Sequence, residues 1–578
     1  MSVAEETGTA PRTAADLLIE GMNDCGIEYV FANFGTDHAP IIEAMAARRL
    51  EQKPNPQVIL TPHENTAAHM ALGYAYATGQ GQAVMVHVDV GTTNAATAMH
   101  NGFRSRLPVM LMAGKAPYTS HGELPGTRDN YVHFIQEPHD QGSVVRPYVK
   151  WEYTLQSPVH AGEVVRRAHS VMQSGARGPV YLMLPREALT GTTDAALPAF
   201  PAARHGAVEP GGVPDAGLEQ LARKLLDAEH PLIVTSYGGA TEGTSEAIEA
   251  LSELVGAAVV ENAMVTNINH EMSCFVGGVP GERLAKADVG LIVDSDVPWI
   301  PSLSQPAPDA FWAHVDVDAL KPGSPVWSFP ANLRLEGRSS AILSRLCEIV
   351  AGMRTEAEAS RAADRVAALR KVGEARRAKA AENAADPGRP GALNPHHVLR
   401  ALGAALAPDD VIFHEAVRNQ PVMVQQIPRP KAGTMTRTAG GGLGASGGMA
   451  LGHKLAKPDT LVVQIVGDGA FYYNCPASML AVSKQYGLPM LTVILDNAGW
   501  SAVKESTLRV YPDGASRADG DFGSDFRADT DFSAMAAMFG FRGLTLDDPA
   551  SVQATVDEAV ETARSGTSVI LTVRLPRH

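Results

Sequence analysis

Long apolar runs, paired cysteines and positive charge are all scarce in this 578-residue sequence. No stretch reaches the roughly 20 apolar residues that a membrane-spanning helix needs, so no membrane role is expected. The opening MSVAEETGTAPRTAADL has neither the basic nor the apolar region of a secretory signal, and the expected location is cytoplasmic. The four cysteines, Cys25, Cys274, Cys347 and Cys475, are scattered without a CxxC pair, which indicates neither a zinc site nor a disulfide framework. A net charge of −15 argues against nucleic acid or an anionic membrane as partner, since either calls for a basic face.

What the chain has in quantity is alternation of strand-like and helix-like segments. YVFANFG, QAVMVHV, PVMLMAG and PVYLMLP are runs of strand length, separated by helical stretches such as ADLLIEGMNDCG. Residues 190–214 lose periodicity and fill with Ala, Pro and Gly, as a linker does. HPLIVTSYGG, ADVGLIVDSD and AHVDVDA mark a second unit, and the Ala-, Arg- and Glu-rich stretch from Thr355 to about Ala385 reads as an exposed helix with a solvated charged face. DDVIFHEA, LVVQIVGDG, MLTVILDN and SVILTVRLP repeat the pattern a third time. The expected fold is α/β, with three doubly wound parallel-sheet domains over residues 1–190, 210–350 and 393–578.

Two segments of the third domain carry chemistry. LVVQIVGDGAFYYN (461–474) and LTVILDNAGW (491–500) each read as a buried parallel strand ending in a turn, with ASMLAVSKQYGLP as the crossover between them. Open α/β sheets bind ligands at the carboxyl ends of their strands. There stand the carboxylate of Asp468, the amide oxygen of Asn497 and the backbone oxygen of Gly499. Such hard oxygens suit magnesium, which typically joins one or two carboxylates to substrate phosphates. The glycine-rich TAGGGLGASGGMALG (438–452) lacks the Lys of a Walker loop and does not match GxGxxG. His63-Glu64 with His69 misses the HExxH spacing of a zinc protease.

The GDG turn followed by Asp496-Asn497 resembles the thiamine-diphosphate motif of the superfamily that holds acetolactate synthase, benzoylformate decarboxylase and pyruvate decarboxylase. Asp496 stands where many members have a first Asn. The resemblance implies thiamine diphosphate as cofactor and Mg2+ as metal, with Asp468, Asn497 and Gly499 as metal ligands and Gly467 and Gly469 in the cofactor-binding turn. It further implies that Glu64, in ILTPHENTAAHMALGYAYATG (59–79), shares a proton with the aminopyrimidine ring. Gly441 would meet the pyrimidine amine through its carbonyl, and Leu443 would hold the cofactor bent. VMVHVDVGTTNAATAMHNGFRSRLPVMLMAG resembles benzoylformate decarboxylase most, and His87 matches a histidine that lies over the reaction centre there. Gln136, in HFIQEP, matches the Gln of an FQE segment facing the reactive side. Thr36, in NFGTDHAP, matches a position where relatives place a small polar or acidic active-site residue, with His38 beside it as a further candidate.

Departures narrow the implied activity. Val503 sits where pyruvate decarboxylases carry a glutamate, and no HH pair occurs in the equivalent stretch, which disfavours a dedicated acetaldehyde-releasing enzyme. The middle domain lacks the arginine-containing pattern of a flavin site, so FAD is doubtful. The superfamily's chemistry adds a thiazolium carbanion to a carbonyl, expels CO2 or another electrofuge and leaves an enamine, which is protonated or attacks a second carbonyl. The expected function is a C–C lyase or ligase acting on a 2-oxo acid, by acetolactate-synthase-like carboligation or benzoylformate-decarboxylase-like decarboxylation. A 2-hydroxyacyl-CoA lyase or an enzyme like oxalyl-CoA decarboxylase is the alternative. A non-catalytic cofactor-binding regulatory protein is the rival from another class. The loop 508–532 reads either as a solvated surface loop or as a lid whose Arg509, Arg517 or Arg527 meets a substrate carboxylate or a CoA phosphate. The family's architecture implies at least a homodimer, with Glu64 of one subunit serving the metal site of its neighbour, and commonly a homotetramer.

Overall fold

Strands form where β-branched and apolar residues run uninterrupted, because a parallel strand covered by helices on both faces buries every side chain. The computed structural model describes residues 11–194, 202–526 and 529–577. These fall into two units. One comprises residues up to 209 together with 438–458 and 473–488; the other comprises 210–437, 459–472 and 489 onward.

The first unit is built on six parallel strands, β1 (Tyr29–Ala32), β2 (Gln57–Leu60), β3 (Gln82–Val86), β4 (Val109–Lys115), β5 (Glu152–Thr154) and β6 (Val180–Pro185), in the order β2-β1-β3-β4-β6-β5. Met110, Met112, Val180 and Leu182 face the buried sides of helices Ala14–Asp24 and Ala161–Gln173. Two further helices matter for the site. α1 (Glu64–Thr78) starts from His63, whose Nδ1 accepts the Asn65 N–H, and stops at Gly79 with φ 73°. α2 (Val88–Arg104) follows β3 directly. α1 is buried from Glu64 to Ala75 rather than along one stripe. The reason is close backbone approach to the helix Ser446–Ala456: a Cβ on Gly452 would lie 1.9 Å from Met70 O, and one on Gly73 would lie 2.0 Å from Met449 O. Only glycine admits that crossing.

The second unit holds two more six-stranded parallel sheets. The central one uses β7 (Pro231–Thr235), β8 (Ala258–Glu261), β9 (Phe275–Gly277), β10 (Val289–Val293), β11 (Phe311–Asp316) and β12 (Leu333–Glu336), ordered β9-β8-β7-β10-β11-β12. The third uses β13 (Val411–Glu415), β14 (Met435–Thr436), β15 (Val462–Gly467), β16 (Leu491–Asp496), β17 (Arg542–Leu546) and β18 (Val569–Arg574), ordered β14-β13-β15-β16-β18-β17. Asn267 ties the two regions together, its Oδ1 accepting the N–H groups of Thr434 and Met435 at 2.8 and 2.6 Å. The α/β expectation therefore holds three times over.

The charged helix Glu356–Asn383 departs from the expected solvated face. It begins with a reciprocal Thr355–Glu358 capping box and buries Ala362, Leu369 and Ala380. Its arginines cap other elements: Arg365 donates to the carbonyls of Ala228 and Val255, both at 2.6 Å, and Arg376 stands 4.6 Å over the Phe275 ring. Long arginine stems cover apolar surface while their heads satisfy helix ends. Among the described residues, no helix is long and apolar enough to cross a membrane.

Candidate active site

In the second unit the carboxyl ends of β15 and β16 bring the expected metal ligands together. Asp468 is buried, its two carboxylate oxygens accepting the N–H groups of Gly469 and Gly499, each at 2.9 Å. Asn497 Nδ2 donates to Ser501 Oγ at 2.5 Å, which turns the amide oxygen toward Gly499 O at 3.0 Å and Asp468 Oδ1 at 3.3 Å. The reverse amide orientation satisfies the turn by itself, through hydrogen bonds donated to those same two oxygens. The first orientation brings three oxygens together, an arrangement that a bound cation would stabilise. Burial, and after it the charge of Asp496, pushes the Asp468 carboxyl up, a cost that a divalent ion would cancel. The donor set thus fits magnesium and a diphosphate. Among the described residues no group of three or more His, Cys, Asp or Glu forms a metal cluster, as suits a set with one carboxylate, one amide and one carbonyl.

Asp496, the departure from the usual asparagine, is answered locally. It pairs with Arg574, its register partner on β18, and accepts the Ala498 N–H at 3.0 Å. Beyond the turn, residues 524–526 lie along the same backbone. Trp500 N–H donates to Ser524 O at 2.7 Å, Phe526 N–H donates to Ala498 O at 2.8 Å, and a Cβ on Gly499 would lie 2.4 Å from Ser524 O. Of the proposed lid arginines, Arg509 is exposed, Arg517 donates to Pro512 O at 2.9 Å, and Arg527 lies outside the described residues.

The first unit carries the other expected residues. Glu64 is buried at the start of α1, and its Oε2 accepts from Asn94 Nδ2 at 3.1 Å. The glycine-rich loop with Gly441 and Leu443 is clamped by two asparagines. Asn101 pairs with both backbone groups of Gly442, accepting at 3.1 Å and donating at 2.9 Å, and Asn65 donates to Gly444 O at 3.0 Å. His69, pushed down to about 4 by burial, stays neutral and accepts from Asn101 Nδ2 at 3.0 Å.

His87 directly follows β3 and Gln136 directly follows the short helix Val132–Ile135; the fold brings them into contact, Nε2 to Oε1 at 3.1 Å. On the other side His87 Nδ1 lies 2.6 Å from Asp37 Oδ1. That hydrogen bond, against burial, raises the imidazole above its ordinary value. Burial opposes the charge on Asp37, but the nitrogens of His38 and His87 outweigh it and hold the carboxyl well below the usual range. His38 Nδ1 also lies 3.0 Å from the Gly35 nitrogen and 3.2 Å from the carboxylate, so His87, at 2.6 Å, is the closer partner. Thr36 is exposed, and the acid beside it makes the contact instead. Asp37, Asn65, Asn94 and Asn101 are the residues that sequence reasoning passes over. Only the strand-end setting of Asp37 hints at its role.

Comparison with known proteins shows the family and the fold. Residues 12–144 match the "Thiamine pyrophosphate enzyme, N-terminal TPP binding domain", and residues 419–572 match the corresponding C-terminal TPP binding domain. The acetolactate synthase large subunit of Lactococcus lactis subsp. lactis is 24% identical over 551 residues, covering 93% of this chain and 89% of that protein. The acetolactate synthase isozyme 3 large subunit of Escherichia coli is 24% identical over 575 residues, covering 97% of this chain and 94% of that protein. Among solved structures, the thiamine diphosphate-dependent 4-hydroxybenzoylformate decarboxylase of Rhodococcus jostii superposes with a TM-score of 0.78 at 20% identity, covering 98% of this chain and all (100%) of that one. The benzoylformate decarboxylase of Polynucleobacter necessarius gives 0.76 at 18% identity, over 98% of this chain and 99% of that one.

Proposed function

We propose, for a chain that belongs to the thiamine pyrophosphate enzymes, a magnesium-dependent decarboxylation of a 2-oxo acid that ends with proton delivery and release of an aldehyde. The observation that carries this reading is the row Asp37–His87–Gln136, an imidazole at a strand end with a carboxylate on one ring nitrogen and an amide on the other. A 2-oxo acid anion that loses CO2 needs one proton on its former carbonyl carbon before an aldehyde can leave. An acid at the site supplies it.

Thiamine diphosphate, when bound, supplies the carbon nucleophile and electron sink that side chains lack. Asp468, Asn497 and Gly499 are the residues that would hold magnesium, with Gly467 and Gly469 in the diphosphate-binding turn, where Gly467 leaves open space and Gly469 makes room for the Trp500 ring. Glu64 holds a proton for the pyrimidine nitrogen, the Gly441 carbonyl takes up the ring amine, and Leu443 supplies apolar bulk. His87 gives its Nε2 proton to the substrate carbon, Gln136 orients that nitrogen, and Thr36 borders the approach. We further propose domains spanning 1–190, 210–350 and 393–578, and a homodimer as the smallest active assembly.

A carboligase that passes the same carbon to a second carbonyl is the second reading, supported by the full-length likeness to acetolactate synthases. The test is a panel of 2-oxo acids and 2-hydroxyacyl-CoA thioesters, given to the protein with thiamine diphosphate and magnesium, scored separately for CO2, aldehyde, acyloin and acyl-CoA cleavage. CO2 with stoichiometric aldehyde is the expected result. Acyloin as the main product selects the second reading, cleavage of the thioester overturns both, and failure to bind thiamine diphosphate removes the cofactor assignment.

A further inference from the structure

The switch point of the first sheet lies between β1 and β3, where the chain, having gone to β2 on one side, continues on the other. Crevices at such points are where open α/β sheets take ligands. His87 stands at the end of β3 and Asp37 in the turn after β1, so the two meet there. We infer that Asp37 is the positioning residue for His87: its carboxylate fixes the ring and keeps a proton on Nδ1, so that Nε2 is the nitrogen that exchanges a proton with the substrate. The inference rests on the decarboxylase reading for the identity of that substrate, and on geometry for the pair itself.

Four observations carry it. First, a carboxylate only accepts, so the 2.6 Å approach of Asp37 Oδ1 puts the proton on His87 Nδ1. Second, Asp37 Oδ2 accepts the Val88 N–H at 3.2 Å, so one buried carboxylate brackets His87 by its ring and by the backbone that follows it. Third, Val88 has φ 29°, a conformation that a β-branched residue adopts only when its surroundings impose it. Fourth, the surrounding strand ends leave room for the pair and for nothing larger. A Cβ on Gly35 would lie 2.0 Å from His87 Nδ1, and one on Gly114 would lie 1.6 Å from Asp37 Oδ2. Satisfying one backbone N–H does not require a carboxylate in a space that two glycines keep clear.

The charged and titratable neighbours are few. His38 shares the Asp37 turn, Asp89 lies on α2, and Gln136 and His133 face the ring from the helix Val132–Ile135. His133 in turn stands within 3.5 Å of Arg186 and is held below its ordinary value, by burial first and then by that cation. When Nε2 is protonated it donates to Gln136 Oε1; once it has given the proton up, the Gln136 amide must turn its NH2 toward the ring. Gln136 thus reports the protonation state that Asp37 maintains.

The experiment compares wild type, Asp37→Asn and Asp37→Ser, in the full-length protein with isotope-labelled histidine, the His87 signal being assigned by its loss in His87→Gln. In both variants the His87 titration midpoint falls by about one to three pH units, as loss of a charge in contact predicts. The alkaline limb of kcat moves the same way, while KM stays within about twofold of wild type, since uniform binding is untouched. An unchanged midpoint in a folded variant that still binds thiamine diphosphate overturns the inference. If neither variant folds, the nitrogen shifts of wild-type His87 decide: a neutral form carrying its proton on Nε2 is incompatible with the assigned role. If the midpoint moves but no 2-oxo acid is turned over by wild type, the pair stands and the decarboxylase reading falls. If wild type is active and the midpoint stays, the reverse holds.

Discussion

The carboxyl ends of the first and central sheets carry similar polar residues and differ in where those residues direct their hydrogen bonds. At the central edge many of the polar groups pair with one another. Ser236 Oγ lies 2.8 Å from Ser295 Oγ, the Tyr237 hydroxyl donates to Asp296 at 2.6 Å, and Trp327 Nε1 donates to Asp296 O at 2.7 Å. Lys321 Nζ bridges Asp296 and Asp316 at 3.0 and 2.6 Å. A ligand there would have to displace a buried ammonium from two carboxylates. At the first edge, His87 keeps 20% of its side chain accessible, and the buried Glu64 holds an amide of Asn94. The central sheet nevertheless has the strand order third-second-first-fourth-fifth-sixth of dinucleotide-binding folds, whereas the first and third sheets share second-first-third-fourth-sixth-fifth. Sheet order alone does not say which edge works; the partners of the polar groups do.

Three perturbations sharpen that contrast. Glu64→Gln at the first edge lowers turnover about 10²–10⁴-fold, the range for losing a general acid or base. Its melting midpoint stays near wild type; equal turnover would remove Glu64 from the chemistry. Lys321→Met at the central edge does the opposite. It takes the ammonium from the fully buried Asp316 carboxylate and lowers unfolding free energy by about 3–5 kcal/mol, as broken buried pairs do, with affinity for thiamine diphosphate retained. A denaturant midpoint matching wild type would make the central network ornamental. The smallest effect is on the pH dependence of stability. His87 is raised in the folded state, so its contribution is fully present below the unfolded value of about 6.5 and is lost as pH rises through the folded one. Asp37 is depressed, so its contribution is present above about 4 and is lost as pH falls through its folded value. The stability difference between wild type and His87→Gln should therefore be greatest between those limits. A flat difference from about pH 4 to about pH 9 would uncouple the pair.

Much of the third sheet's edge is legible in the amino-acid sequence, because Asp468, Asn497 and Gly499 sit at the ends of long apolar strands whose turns announce themselves. His87 and Gln136 are legible through likeness of spacing. Asp37 is not, because an acid in a Gly-Thr-Asp-His turn reads as a cap or a solvated residue, and only the side-chain-free space at Gly35, in that turn, and at Gly114, on β4, makes it a buried partner. The clamping asparagines escape for a similar reason: Asn65 and Asn101 lie on helices, and what they hold is backbone 379 and 341 residues away in the chain. Edge strands such as Leu333–Glu336 and Arg542–Leu546 are short and half-exposed, without the apolar signature of the sheet centre.

The strip of backbone that joins residues 524–526 to the Ala498–Trp500 turn has a thermodynamic consequence. An ion drawing on the Gly499 carbonyl and a motion that peels this strip away act on the same peptide groups, so their free energies are linked. Whatever factor the ion contributes to the order of 524–526, ordering that strip returns to the ion's affinity. A chelator titration followed by protease nicking near Ser524 would read this reciprocity without any substrate present.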